Sequence, residues 1–272
     1  MDRIRLIMSD IDSTILPAGR ACVSKRTVAA FHAARAAGMV VGPASGRGRQ
    51  QIPPFFGGDA SCCDTCIATN GLEVYHEGKK ICERRPPRAA LEQLVEVLAE
   101  EPHAGLVAFD GAQPYVCSGS VDDLAAVMPG YAKASRPLGA LPAFDVLKAN
   151  VFAPRDMPAT VELCDRLNRA IDGIDFDVPM AGYLNIMPAG WNKGAALGYL
   201  CEYLGIAADE AVVFGDAGND LAMFRVAGHA VAVGNATPEV SAAARWHIGR
   251  CEDDAVASAI EELAAGRWPF TE

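Results

Sequence analysis

The chain has 272 residues, about half of them hydrophobic and only 7% aromatic, and it carries a formal net charge of -10 with no long run of lysine or arginine. That length allows a large core with an inserted domain, the aliphatic composition suits an α/β globule, and the acidic balance argues against a nucleic-acid surface. No stretch approaches the roughly 18 apolar residues of a membrane span, and Met1-Asp2-Arg3 leads into an apolar strand without an export signal, so a soluble cytoplasmic protein is expected, monomer or homodimer.

In chain order, Ile4 to Met8 reads as a strand and Val23 to Ala37 as a helix with Ser24 as N-cap and Gly38 as its stop. Met39-Val40-Val41 is a second strand, Ser45-Gly46-Arg47-Gly48 begins a loop, and Ile67 to Thr69 is a third strand ending in the turn dipeptide Asn70-Gly71. A hairpin is expected around Glu77-Gly78. Pro86-Pro87 then marks a break. Beyond it come a helix from Arg88 to Glu100, two strand-like runs, a short helix near Asp122 and an irregular proline-containing stretch. A strand at Val146 to Phe152, a helix at Pro158 to Ala170 and two final strands follow. This mixed order suggests an α+β sheet with helices on one face, inserted over 84–184. From Asn192 the βα alternation resumes, with a helix from Lys193 to Leu204, a strand at Ala211 to Phe214 and further βα units to Ala265. The fold class is therefore α/β, a doubly wound, mostly parallel core sheet over 1–83 and 185–272 with an α+β insertion.

The nine cysteines include Cys62-Cys63-Asp64-Thr65-Cys66. No second ligand pair stands at a zinc-site spacing, so reduced, buried thiols are the reading of this cluster.

Two acidic motifs follow apolar runs, Asp10-Ile11-Asp12-Ser13-Thr14 near the start and Gly215-Asp216-Ala217-Gly218-Asn219-Asp220 far along the chain. Carboxylates at the C-terminal ends of neighbouring parallel strands converge, repel one another, and call for a cation with hard oxygen ligands such as Mg²⁺. Ser45 offers a hydroxyl and Gly46 a close backbone approach to a phosphoryl oxygen. Lys193 stands at a helix start, where a cation opposes the helix dipole, so an anionic partner is expected there.

Together, Asp-x-Asp-x-Thr at Asp10 to Thr14, Ser45-Gly46-Arg47, Asn192-Lys193-Gly194 and Gly215-Asp216-x-x-Asn219-Asp220 resemble the haloacid dehalogenase superfamily of phosphoryl-transfer enzymes. The long insertion between Ser45 and Lys193 and the Ala68-Thr69-Asn70-Gly71 turn resemble its Cof-type, or subfamily IIB, sugar-phosphate phosphatases. The resemblance implies a Mg²⁺-dependent phosphatase of small phosphorylated metabolites working through an aspartyl-phosphate. In it Asp10 would be nucleophile and metal ligand, and Asp12 acid/base with its carbonyl on the metal. Ser45, Gly46, Arg47, Lys193 and Asn219 would serve the phosphoryl group, Asp216 and Asp220 the metal, and the insertion would be a specificity cap in which Lys148, Tyr183 and Asn185 are candidates. Ser13 departs from the family's usual Gly. Two alternatives stand beside it: a phosphomannomutase-type phosphosugar mutase, which would use the same residues but want an arginine cluster in the insertion, and a non-catalytic phosphate-binding regulatory protein, which would be expected to lack Asp10 or Asp12.

Overall fold

Residues 4–270 are described by a computed structural model, in which the chain divides into two units, Met1–Glu83 with Asn192–Glu272, and Arg84–Trp191. The Met1-Asp2-Arg3 stretch discussed above lies outside the described residues. In the first unit, β1 (Leu6–Ser9) is entirely buried and leads through a loop to α1 (Lys25–Ala36), which starts where Ser24 accepts a hydrogen bond from the Thr27 N–H. Then come β2 (Val40–Pro43), β3 (Cys66–Ala68), and the hairpin β4 (Glu73–His76) and β5 (Lys79–Glu83), which turns at Glu77-Gly78.

The second unit contains α2 (Arg88–Ala99), β6 (Gly105–Asp110), β7 (Gln113–Ser118), α3 (Val121–Val127), α4 (Pro129–Ala134), β8 (Arg136–Pro137), β9 (Lys148–Phe152), α5 (Met157–Ala170), β10 (Ile174–Met180) and β11 (Tyr183–Pro188). Its sheet runs β10-β11-β9-β6-β7-β8, antiparallel except for the short last pair. Because side chains alternate along a strand, Leu106 and Ala108 join α2 and α5 in one apolar cluster, while Val107 and Phe109 join α3 and α4 in another. Helices therefore cover part of both faces, not one. The expectation of an irregular stretch after Asp122 misses α4, which has Pro129 at its first turn. The unit also extends past residue 184: β11 pairs with β10 and β9, so the chain leaves this sheet only after Pro188.

The chain returns to the first unit with α6 (Lys193–Leu204), β12 (Ala211–Gly215), α7 (Leu221–Val226), β13 (His229–Ala232), α8 (Pro238–Ala243), β14 (Trp246–His247) and α9 (Ala255–Ala264). Its main sheet has the order β14-β13-β12-β1-β2, all parallel. Parallel central strands are covered on both faces, which is why β1 and β12 read as unbroken apolar runs. Ile7, Val212 and Phe214 pack with α1 and α9 around Phe31 and Ile260, while Leu6, Met8 and Val213 alternate to the opposite side. The second sheet of this unit, β3-β4-β5, is antiparallel and is joined to the end of β2 by a parallel bridge between Ala44 and Ile67. The strand order reverses direction between β1 and β12, the position at which doubly wound sheets leave a crevice beyond their strand ends. Asp10 and Asp216 are the residues that immediately follow those two strands.

Among the described residues no helix is long and apolar enough to cross a membrane. Among the described residues no cysteine is in a disulfide, and of the cysteines only Cys22 is exposed. Burial pushes the Cys62, Cys63 and Cys66 thiols up to about 12, so they behave as small apolar groups at neutral pH. The fold does bring His32 and Asp59 to within 4.8 Å of Cys62, a grouping that linear spacing does not reveal.

Candidate active site at the strand ends

Asp10 continues β1, its N–H bonded to the Phe214 carbonyl at 3.0 Å, and its side chain is buried. Lys193 is the first residue of α6, a helix capped by Asn192, whose side chain accepts from the N–H groups of Gly194 and Ala195. Gly194 lets this helix start close to α7, because a Cβ there would lie 2.3 Å from the Ala222 carbonyl. The Lys193 ammonium is fully buried and donates to Asp10 Oδ1 at 2.6 Å and to Asp220 Oδ1 at 2.8 Å. The anionic partner expected for a lysine at a helix start is thus a pair of carboxylates.

Asp220 uses its other oxygen to accept from the N–H groups of Asp216 and Ala217, at 3.0 and 3.2 Å, and so closes the loop after β12. Gly215 makes room for it: a Cβ there would come within 2.7 Å of the Asp220 carboxyl. Gly218, in the same loop, has open space around it and no need of glycine on that account. Asp216 accepts from the Thr14 hydroxyl at 2.7 Å, a contact that gives the last residue of the first motif a function the sequence reading left unassigned. Carboxylate oxygens of Asp10, Asp216 and Asp220 lie within 4.8 Å of one another.

The electrostatics follow from this burial. Desolvation raises Asp10 most; Lys193 opposes it, Asp220 and Asp216 add repulsion, and the result is a carboxyl pushed up to about 8. Desolvation likewise lifts Asp216 to about 6, against the hydrogen bond from Thr14. Burial alone would lower Lys193, but the two carboxylates outweigh it and hold the ammonium charged. Three carboxylates facing one ammonium leave two negative charges uncompensated in a buried site. Oxygen donors in that arrangement fit a divalent cation, which would restore Asp10 and Asp216 to their ionised forms.

The other expected residues lie around this cluster. Ser45 is buried just beyond β2, donates its N–H to the Ile67 carbonyl, and accepts from the Arg47 N–H at 3.2 Å. Gly46 lies against the Asn70 amide, 3.0 Å from where a Cβ would stand. Asn219 donates to Asn70 Oδ1 at 3.4 Å, and Asn70 sits in a left-handed turn with φ 55°. Asp12 is outside the three-carboxylate cluster: its side chain is half exposed, and Arg47 binds both of its oxygens, at 2.7 and 2.8 Å. The extended alternation that would set Asp10 and Asp12 on one side stops at the end of β1, where the chain turns toward Leu16.

Ser13 has φ 62°, the left-handed region that glycine adopts without a Cβ penalty. Asn235 holds this turn by donating to the Ser13 carbonyl at 2.7 Å. Ser13→Gly is expected to change stability by no more than about 1 kcal/mol in favour of the folded state, relief of strain being partly offset by a freer unfolded chain. Urea unfolding of the two proteins measures this.

In the second unit, Asp177, Asn185 and Asn150 form a row across β10, β11 and β9. Asn150 donates to Asn185 at 3.0 Å and to the Leu184 carbonyl, and Asn185 donates to Asp177 at 2.6 Å. Asn150 Oδ1 and the Tyr183 hydroxyl, on the same face, are buried with no hydrogen-bond partner. Lys148 lies 5.0 Å from the Phe109 ring centre. Of the arginines in this unit, Arg155 and Arg166 share Glu101, Arg88 pairs with Glu92, and Arg84 stacks on Trp191.

The haloacid dehalogenase-like hydrolase family matches residues 7–260. The chain is 28% identical over 272 residues to 5-amino-6-(5-phospho-D-ribitylamino)uracil phosphatase YbjI of Escherichia coli (strain K12), covering 98% of each chain. It is also 28% identical over 268 residues to pyridoxal phosphate phosphatase YbhA of the same organism, covering 94% of this chain and 97% of that one. Among solved structures, the subclass IIB sugar phosphatase BT4131 superposes with a TM-score of 0.79 at 19% identity over 95% of this chain and 98% of that one, a likeness of fold. The chain belongs to the haloacid dehalogenase-like hydrolase family. Within it, the chain is a phosphoric monoester hydrolase.

Proposed function

We propose that the chain is a Mg²⁺-dependent phosphatase of small phosphorylated metabolites, sugar phosphates foremost, that works through a phosphoryl group carried on Asp10. The observation that carries this reading is the buried Lys193 ammonium gripping Asp10 and Asp220 beside Asp216, a site that holds a nucleophile in place and stays short of two positive charges. Named phosphatases of small phosphorylated compounds among its relatives support the substrate class.

In the first half-reaction an Asp10 carboxylate oxygen attacks phosphorus. The phosphorus–oxygen bond to the leaving group breaks as Asp12 gives that oxygen a proton. In the second, water attacks the phosphorus of phospho-Asp10 while Asp12 takes its proton, and the bond to Asp10 breaks to free phosphate. Lys193 steers Asp10 and meets the charge of the phosphoryl oxygens, and Ser45 and the Gly46 backbone supply further donors to them. Mg²⁺, held by Asp10, Asp216 and the Asp12 carbonyl, would neutralise nucleophile and phosphate as they approach. Asp220, both of whose oxygens already accept hydrogen bonds, serves this arrangement by fixing Lys193 and the loop that carries Asp216. The second unit, 84–191, is assigned the choice of leaving group, its polar row of Asp177, Asn185 and Asn150 being the feature that supports this.

The test is phosphate release from a panel of sugar, nucleotide and cofactor phosphates, with and without Mg²⁺. Turnover that requires the metal supports the reading; release unaffected by chelation refutes the metal requirement. The raised carboxyls give a second expectation. In the metal-free chain Asp10, near 8, and Asp216, near 6, both lie above the ordinary 3.8. Their contribution to stability is thus fully present below about pH 4 and is lost as pH rises through the folded-state values. Mg²⁺ binding must expel the Asp10 proton, so its Kd is expected to fall about tenfold per pH unit between 6 and 8. Mg²⁺-induced shifts in Tm across that range measure it, and a pH-independent shift contradicts it.

A further inference from the structure

We propose that Arg47 is the positioning residue for the Asp12 acid/base, rather than a ligand of the phosphoryl group; the proposal rests on the phosphatase reading above. The guanidinium donates from Nε to Asp12 Oδ2 at 2.8 Å and from Nη2 to Oδ1 at 2.7 Å, the two-pronged geometry that fixes a carboxylate in its plane. Arg47 is itself held from three sides. Its N–H bonds to Ser45 Oγ, its carbonyl accepts from the Thr69 N–H at 2.9 Å, and its guanidinium lies 4.4 Å from the centre of the Phe55 ring. Asp12, by contrast, is half exposed, and Arg47 is the only side chain bonded to its carboxylate among the described residues.

A surface carboxylate without such a partner samples several rotamers in water and loses the fixed direction that proton transfer needs. Each Asp12 oxygen accepts one N–H from Arg47 and keeps a second lone-pair direction. Through that direction a proton is delivered to the leaving oxygen or taken from water. The Arg47 nitrogens engaged in this way face Asp12. Two of its five N–H donors are engaged in this way, so its position after Ser45-Gly46 in the chain does not by itself make it a phosphate donor. Phe55 has a part as well, as the platform that keeps the guanidinium flat beside Asp12.

The leaving group separates this role from phosphate binding. An alkyl phosphate needs its departing oxygen protonated, whereas p-nitrophenyl phosphate expels a stable phenolate with little help. For Arg47→Gln, kcat/KM for an alkyl phosphate that the wild type hydrolyses is expected to fall about 100-fold. For p-nitrophenyl phosphate it should fall several times less, and inhibition by inorganic phosphate should be unchanged. Arg47→Lys, with one point charge in place of a fork, should recover part of the alkyl-phosphate loss. Equal losses on both substrates together with weaker phosphate inhibition would make Arg47 a phosphate ligand and overturn the proposal. Unchanged kinetics on both would reduce the pair to a solvated ion pair, and higher activity would make it a restraint on Asp12; either result also overturns it. Absence of wild-type turnover on every phosphate ester would instead sink the phosphatase reading on which the proposal stands, and the proposal with it.

Discussion

Asp10→Asn is expected to remove turnover, by a factor of about 10⁴ or more for every substrate in the panel, while leaving the fold intact. The amide keeps the size of the side chain and can still accept from Lys193, but it is not a nucleophile. It also relieves the repulsion that Asp10 feels from Asp220 and Asp216. The mutant should therefore be at least as stable as the wild type without metal at pH 8, where the native carboxyl begins to ionise in a buried place. Loss of activity with retained or raised Tm separates a chemical role from a structural one. Steady-state assays with several phosphate esters, beside thermal unfolding at pH 8, make the measurement.

Lys193→Met should damage both folding and chemistry. The ammonium is fully buried and supplies a hydrogen bond to each of two carboxylates. Removing one member of a buried ionic group commonly costs about 3–5 kcal/mol, because the partners are left uncompensated. The sign of the pH dependence follows. Without Lys193, the Asp10 carboxyl rises further above its unfolded value, so the folded state is penalised more as pH increases. The deficit relative to wild type should be large at pH 8 and small at pH 5, where the carboxyls take up protons instead. Urea unfolding at the two pH values checks this. Activity should fall about 10³-fold, since a preorganised charge at the reacting oxygens is lost. A mutant equally destabilised at both pH values would mean that packing of the lysine stem, and not its charge, holds the site.

Most of the core was legible because parallel strands buried on both faces leave unbroken apolar runs, and β1 and β12 end on the motif residues themselves. Lys193 at a helix start signalled an anionic partner. That the partner is two aspartates of the same cluster depends on the approach of α6 to α7, which Gly194 permits and linear spacing does not encode. Asp12 and Arg47 show the opposite limit. Their residue types suggested chemistry, but their pairing depends on where the chain turns after β1 and on a side-chain direction no periodicity fixes. Thr14 was visible only as a letter in a motif until its hydroxyl was seen on Asp216. In the second unit, α4 falls in the stretch whose prolines suggested irregular structure, although proline is well tolerated in the first turn of a helix. The residues of β6 are apolar on both faces and divide between two apolar clusters, so a count of helices could not say which face each would cover.

In the proposed reaction phosphate leaves through a covalent bond to Asp10. The most direct measurement is to quench the enzyme during turnover of its best substrate with Mg²⁺, reduce with borohydride, and map the peptides by mass spectrometry. An acyl phosphate on Asp10 is reduced to homoserine at position 10, and that conversion, absent from enzyme without substrate, is the predicted result. Turnover with the reduced residue at another position, or undiminished turnover by Asp10→Asn, would contradict it.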